Sequence, residues 1–115
     1  VRSNSTITLQ FPPRTNPNSQ PVLFKLKPGV AATQISELKT AATAMVGVIP
    51  GLLKLDFGSP LAITAHRSKG FDQGLVAVLE KAEDVQVYGD HPAHQKVHKL
   101  RESMCEDTLA FDMEF

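Results

Sequence analysis

The stretch Gly74-Leu75-Val76-Ala77-Val78-Leu79 has no polar side chain at any position. It is too short for a typical helix, and its apolar residues run without a helical gap between Gly74 and Glu80, so it reads as a strand. Successive strand residues point to opposite faces, so this strand presents apolar groups to both sides of whatever sheet contains it. Water cannot sit against either side without cost, and the sheet therefore needs cover on two faces.

The neighbouring strands behave differently. Val22, Phe24 and Leu26 are interleaved with Leu23, Lys25 and Lys27 as a half-buried strand that ends at Pro28-Gly29, and Leu53, Leu55 and Phe57 alternate with Lys54 and Asp56 as a second. Between them Ile35, Leu38, Ala42, Met45 and Ile49 fall on one helical face, stopped by Ile49-Pro50-Gly51. The start of that helix is weakly marked, because Ala31 stands where a Ser, Thr or Asp cap would contribute about 1 kcal/mol. Residues 58–70 read as an irregular polar loop. After the apolar strand, a helical region covers residues 82–88. A second helix starts at Pro92, whose fixed φ and missing N–H suit a first turn, with Asp90 or His91 as its cap. Leu109, Phe111, Met113 and Phe115 then alternate with Ala110, Asp112 and Glu114 as a closing strand.

The resulting order, βαββαβ, predicts an α+β, ferredoxin-like subunit with both helices on one face of a four-stranded antiparallel sheet. The other face is left open, and the doubly apolar strand demands a cover for it. A second copy of the chain is the expected cover, giving a homodimer through the sheet face. The alternative is the N-terminal arm folded across it. Residues 1–21 are polar and carry Pro12, Pro13, Pro17 and Pro21, a composition suited to a flexible arm rather than to a second layer, with the domain proper spanning residues 22–115. Within the arm, residues 6–11 alternate as a short strand might.

Bulk properties narrow the partners. The 115 residues suit one domain, and 12 basic against 12 acidic side chains give no net charge, which argues against nucleic acid or an anionic membrane as partner. The longest mostly apolar run, residues 41–53, is broken by Gly47, Pro50 and Gly51 and is too short to cross a bilayer. Cys105 is the only cysteine, so no disulfide forms within the chain and a reducing, cytoplasmic setting is expected. The chain opens on Val1, which fits a processed or truncated start, and Asn4-Ser5-Thr6 matches a glycosylation acceptor that has no signal peptide to support it.

The chemistry concentrates in Tyr88-Gly89-Asp90-His91-Pro92-Ala93-His94. On the helix that follows, Ala93, Val97, Leu100 and Met104 form the apolar face, and at about 100° per residue His94 lies roughly a quarter-turn from its centre. His98, Arg101 and Cys105 follow along the same flank. A histidine at the edge of a core suits a cleft, or else a bond to a backbone carbonyl. His91, His94 and His98 also stand at spacings of three and four, but no second ligand motif accompanies them, and solvated histidines account for the pattern; no metal is expected. Cys105, near the helix end, lacks the positive dipole that would activate a thiol.

Val22-Leu23-Phe24-Lys25-Leu26-Lys27-Pro28, Ile49-Pro50-Gly51, Lys69-Gly70-Phe71, Tyr88-x-x-His91-Pro92-Ala93-His94 and the closing Phe111-Asp112 together resemble the stress-responsive dimeric A/B barrel (Dabb) family, over roughly residues 21–115. The resemblance implies a homodimer whose two sheets close an α+β barrel, acting as a small soluble stress-response protein that binds a small apolar or amphipathic molecule near Tyr88 and His94. It also implies an alternative, a cofactor-free polyketide cyclase like the family's plant olivetolic acid cyclase, with His94 as base and Tyr88 as hydrogen-bond donor to the reacting carbonyl. A purely structural oligomer is the third reading. Two positions depart from the family pattern: Gln20 stands where a histidine commonly opens the first strand, and Gln73 stands where the cyclase has a third-strand histidine.

Overall fold

The computed structural model describes residues 17–114 of the chain. Strand β1 (Asn18–Leu26) leads to helix α1 (Ala32–Thr43), strand β2 (Leu52–Gly58), a 3-10 helix (Ala62–Ser68) and strand β3 (Gln73–Leu79). Helices α2 (Asp84–Asp90) and α3 (Pro92–Met104) follow, then β4 (Cys105–Ala110) and the two-residue β5 (Met113–Glu114). The sheet is antiparallel, ordered β2-β3-β1-β4 with β5 also against β1. This is the ferredoxin-like arrangement expected from the βαββαβ order.

The core lies between the sheet and the helices. Phe24 from β1, Leu55 from β2, and Leu75, Ala77 and Leu79 from β3 pack with Leu38 and Ala42 of α1, Tyr88 of α2, and Val97 and Met104 of α3. On β3 the apolar residues divide as a strand must: Leu75, Ala77 and Leu79 are buried while Val76 and Val78 face the other way.

Several boundaries differ from the sequence reading. The first strand begins at Asn18 rather than near Val22, so Pro21 lies inside a central strand. The proline is tolerated because of where it falls. Pro21 O accepts the Phe111 N–H, the reciprocal bond would need the N–H that proline lacks, and at that point the partner chain breaks between β4 and β5. Residues 6–11 of the arm lie outside the described residues. Helix α1 stops at Thr43, not at Ile49. Thr43 Oγ1 bonds back to the Lys39 carbonyl, and Gly47 adopts a left-handed φ of 88° that no helix continues through. Met45 and Ile49 stay buried because the turns that follow keep a helical bond, Ile49 N–H to Met45 O. The weak start of α1 is partly repaired by Gln34, whose Oε1 accepts from the Ala31 N–H.

On β2 the register shifts between Leu52 and Lys54, so Leu52 is buried and Leu53 exposed, reversing the expected inward place of Leu53. The stretch read as loop, residues 58–70, contains the 3-10 helix, ended by Lys69 in a left-handed conformation. The closing strand begins earlier than expected, at Cys105, and is interrupted at residues 111–112; Leu109 and Phe111 are exposed.

Candidate functional site

Asp90-His91-Pro92 builds the site by breaking one helix into two. A residue before proline is pushed out of the helical region, and His91 is extended (φ −68°, ψ 138°). It thereby ends α2 and caps α3, its Nδ1 accepting the Ala93 N–H at 3.0 Å. Of the two expected caps, His91 is the one used, and its ring is committed to the backbone.

The break also frees carbonyls at the end of α2, which a helix cannot satisfy internally. Gly89 O is taken up by side chains from the next helix: Gln95 Nε2 donates to it at 2.7 Å, and His94 Nδ1 lies 3.2 Å away. A carbonyl only accepts, so His94 Nδ1 carries the proton and, in the neutral ring, the lone pair stands at Nε2. Burial lowers the His94 pKa from its ordinary value near 6.5. The bond to Gly89 opposes that shift, and the neighbouring His98 and Arg101 reinforce it.

Tyr88 and His94, both singled out from the sequence, are brought together: their rings are tilted with centroids 4.5 Å apart. Tyr88 is 6% exposed. Its phenol is pushed up to about 12, chiefly by burial, with Asp112 raising it further and Arg101 opposing. At neutral pH the pair therefore offers an O–H donor beside a neutral imidazole.

The rest of the flank continues from there. The His98 ring stacks at 6.4 Å from His94. Arg101 Nη2 donates to His98 Nδ1, which places the His98 ring proton at Nε2, facing Glu102 Oε1 at 3.4 Å. Cys105 is half-buried at the start of β4, and burial raises its thiol pKa. His91, His94 and His98 do not converge, and among the described residues no group of three or more His, Cys, Asp or Glu side chains is placed to hold a metal ion.

In the sequence Gln20 stands out only as a departure from the family pattern, and Asn18 does not stand out at all. Asn18 and Gln20 are buried on the helix side of β1, with Gln20 Nε2 donating to Asn18 Oδ1 at 3.4 Å. Their alternation with Val22 and Phe24 was visible, but Pro21 masked it. Gln73 is turned instead toward the loop after β2, donating to Ser59 Oγ at 3.2 Å.

Residues 20–115 match the family model described as the stress responsive A/B barrel domain, Dabb. The chain belongs to that family. No curated protein matches it in sequence. Among solved structures, a dimeric ferredoxin-like protein of unknown function from Thermobifida fusca is 25% identical, with a TM-score of 0.76 over 88% of this chain and 92% of that one. The hydroxynitrile lyase of Passiflora edulis is 16% identical at a TM-score of 0.78, over 90% and 95% of the two chains. An Arabidopsis thaliana protein is 23% identical at 0.75, over 83% and 91%. These neighbours share the fold of this Dabb domain. No helix among its described residues is long and apolar enough to cross a membrane.

Proposed function

We propose that this Dabb domain acts as a cytoplasmic homodimer of the stress-response type that binds a small apolar or amphipathic molecule beside Tyr88 and His94. The observation carrying the ligand site is the Gly89 bond: it orients a half-buried imidazole so that Nε2 is the nitrogen left to meet a ligand, next to a buried phenol. The homodimer is supported by the sheet face away from the helices. Leu23, Val76, Val78 and Leu109 share that face, with Lys25, Lys54, Asp56 and Asp107 at its margins, the apolar centre and charged rim of a protein interface. The Thermobifida fusca neighbour is described as dimeric.

Native mass spectrometry of the purified protein tests both parts, through subunit mass and any retained small molecule. A monomer at micromolar concentration would remove the dimer. A ligand that is retained equally by the His94→Ala variant would place the binding elsewhere.

The second reading is a cofactor-free polyketide cyclase, favoured by the protonation states of the pair. His94 Nε2 takes a proton from a carbon between two carbonyls, which is already acidic. The electron pair left on that carbon forms the new C–C bond to a distal carbonyl of the same molecule. The resulting alkoxide is held by the Tyr88 O–H and takes its proton from the imidazolium. A hydroxynitrile lyase shares the fold, so the framework is compatible with an enzyme's site. Aldol cyclisation of a linear poly-β-keto thioester, lost in His94→Ala and weakened in Tyr88→Phe, supports this reading; no turnover by the unaltered protein ends it.

A further inference from the structure

We propose that Arg101 makes the Tyr88–His94 site selective for ligands with an anionic head group, a carboxylate above all. The inference rests on the reading that a small molecule occupies this site, and it names the chemical class.

Among the described residues, Arg101 is a cation without an ionic partner. Its Nη2 is used on His98, a neutral acceptor, and its Nε is buried with no hydrogen-bond partner among the described residues. No carboxylate of those residues lies within 4.0 Å of the guanidinium; their Lys–carboxylate pair is Lys54–Asp56, and Glu102 faces the His98 ring. A buried donor on a charged group is costly to leave unmade, and its natural complement is a planar anion that accepts from two N–H groups.

The position of that donor fits the site. The chain Arg101–His98–His94–Tyr88 is continuous through one hydrogen bond and two ring contacts, and the charge of Arg101 acts on both Tyr88 and His94. Of the other charged groups, Asp112 acts on Tyr88 from the segment after β4, and Glu102 is largely exposed and turned toward His98 Nε2. The outer side of Arg101 is a different environment. There an open concavity of about 310 Å³ is lined by Glu102, Glu106 and Asp107 with Cys105 and Thr108, and three carboxylates repel an anion. On the side toward His94 the carboxylate acting on the site is that of Asp112 alone, so an anion meets less opposition there than among those three.

Octanoate and octanamide have the same chain and differ by one charge, so they separate recognition of the tail from recognition of the head. Each is titrated at pH 8 into the full chain, following the His94 imidazole by nitrogen-15 NMR. Octanoate is expected to move the His94 resonances with a Kd roughly tenfold or more below that of octanamide. Arg101→Gln should bring the two affinities together, and Arg101→Lys should restore part of the gap because an ammonium keeps the charge without the fork. Equal affinities in the unaltered protein, or a gap that survives Arg101→Gln, overturn the inference and leave the ligand site standing. If neither probe moves His94, the ligand reading itself fails and takes the inference with it. Where Arg101→Gln does not fold, Arg101→Lys takes its place: a reduced gap supports the inference and an undiminished one overturns it.

Discussion

The two faces of the sheet are built from the same four strands and meet different fates. On the helix side Leu79 is fully buried and Leu75 nearly so, whereas across the strand Val76 is 37% exposed, and on β1 and β4 Leu23 and Leu109 are 40% and 53% exposed. Composition does not separate them, since both faces are apolar at the centre. What separates them is that, among the described residues, the first face finds its partner in the helices and the second finds none. With the proposed homodimer, stability of the subunit and assembly of the subunits fall on opposite sides of one strand.

Substitutions on either side of β3 test that division. Leu79→Ala removes a side chain from the closed side and should cost about 2–5 kcal/mol of unfolding free energy, read from denaturant titration. An effect below about 1 kcal/mol would mean that the helix side is less tightly packed than its burial indicates. Val76→Asp places a charge on the open side. Light scattering should show dissociation of the homodimer, with affinity weakened about a hundredfold or more, while the isolated subunit stays within about 0.5 kcal/mol of its parent. If the subunit unfolds instead, the two faces are not separable.

The smallest effect sharpens the contrast through pH. Burial disfavours the His94 cation in the folded chain, so the unfolded chain binds the extra proton first as pH falls. The stability contributed by neutral His94 is present above its ordinary value of about 6.5 and is lost as pH drops from there through the lowered folded value. Denaturant titrations from pH 7.5 to 5 should show this loss, and His94→Gln should flatten that part of the slope. An unchanged slope in the variant would assign the dependence to other groups.

The topology was legible because it depends on periodicity. Alternation in β1 and β2, the helical spacing of Ile35, Leu38 and Ala42, and the unbroken apolar run of β3 each report burial directly. Boundaries were less legible, because they depend on single backbone events. Leu53 became exposed through a register shift, and Pro21 entered a central strand because its missing N–H meets the gap between β4 and β5. At the candidate site, Tyr88 and His94 stood out by residue type, and Pro92 correctly announced the helix that carries His94. The burial of Asn18 and Gln20 was not legible, since it follows from a strand position that the proline concealed. The separation of Arg101 from every carboxylate among the described residues is a three-dimensional fact that spacing along α3 cannot express.

The orientation of His94 is held by the main chain of residue 89 rather than by another side chain. A backbone carbonyl survives every point mutation that leaves the helix end in place, and an added Cβ at position 89 would meet nothing within 4 Å. The imidazole's tautomer is therefore insulated from sequence drift. A substitution among the side chains around it leaves the ring's direction to the main chain, so long as the helix break at His91-Pro92 stays in place.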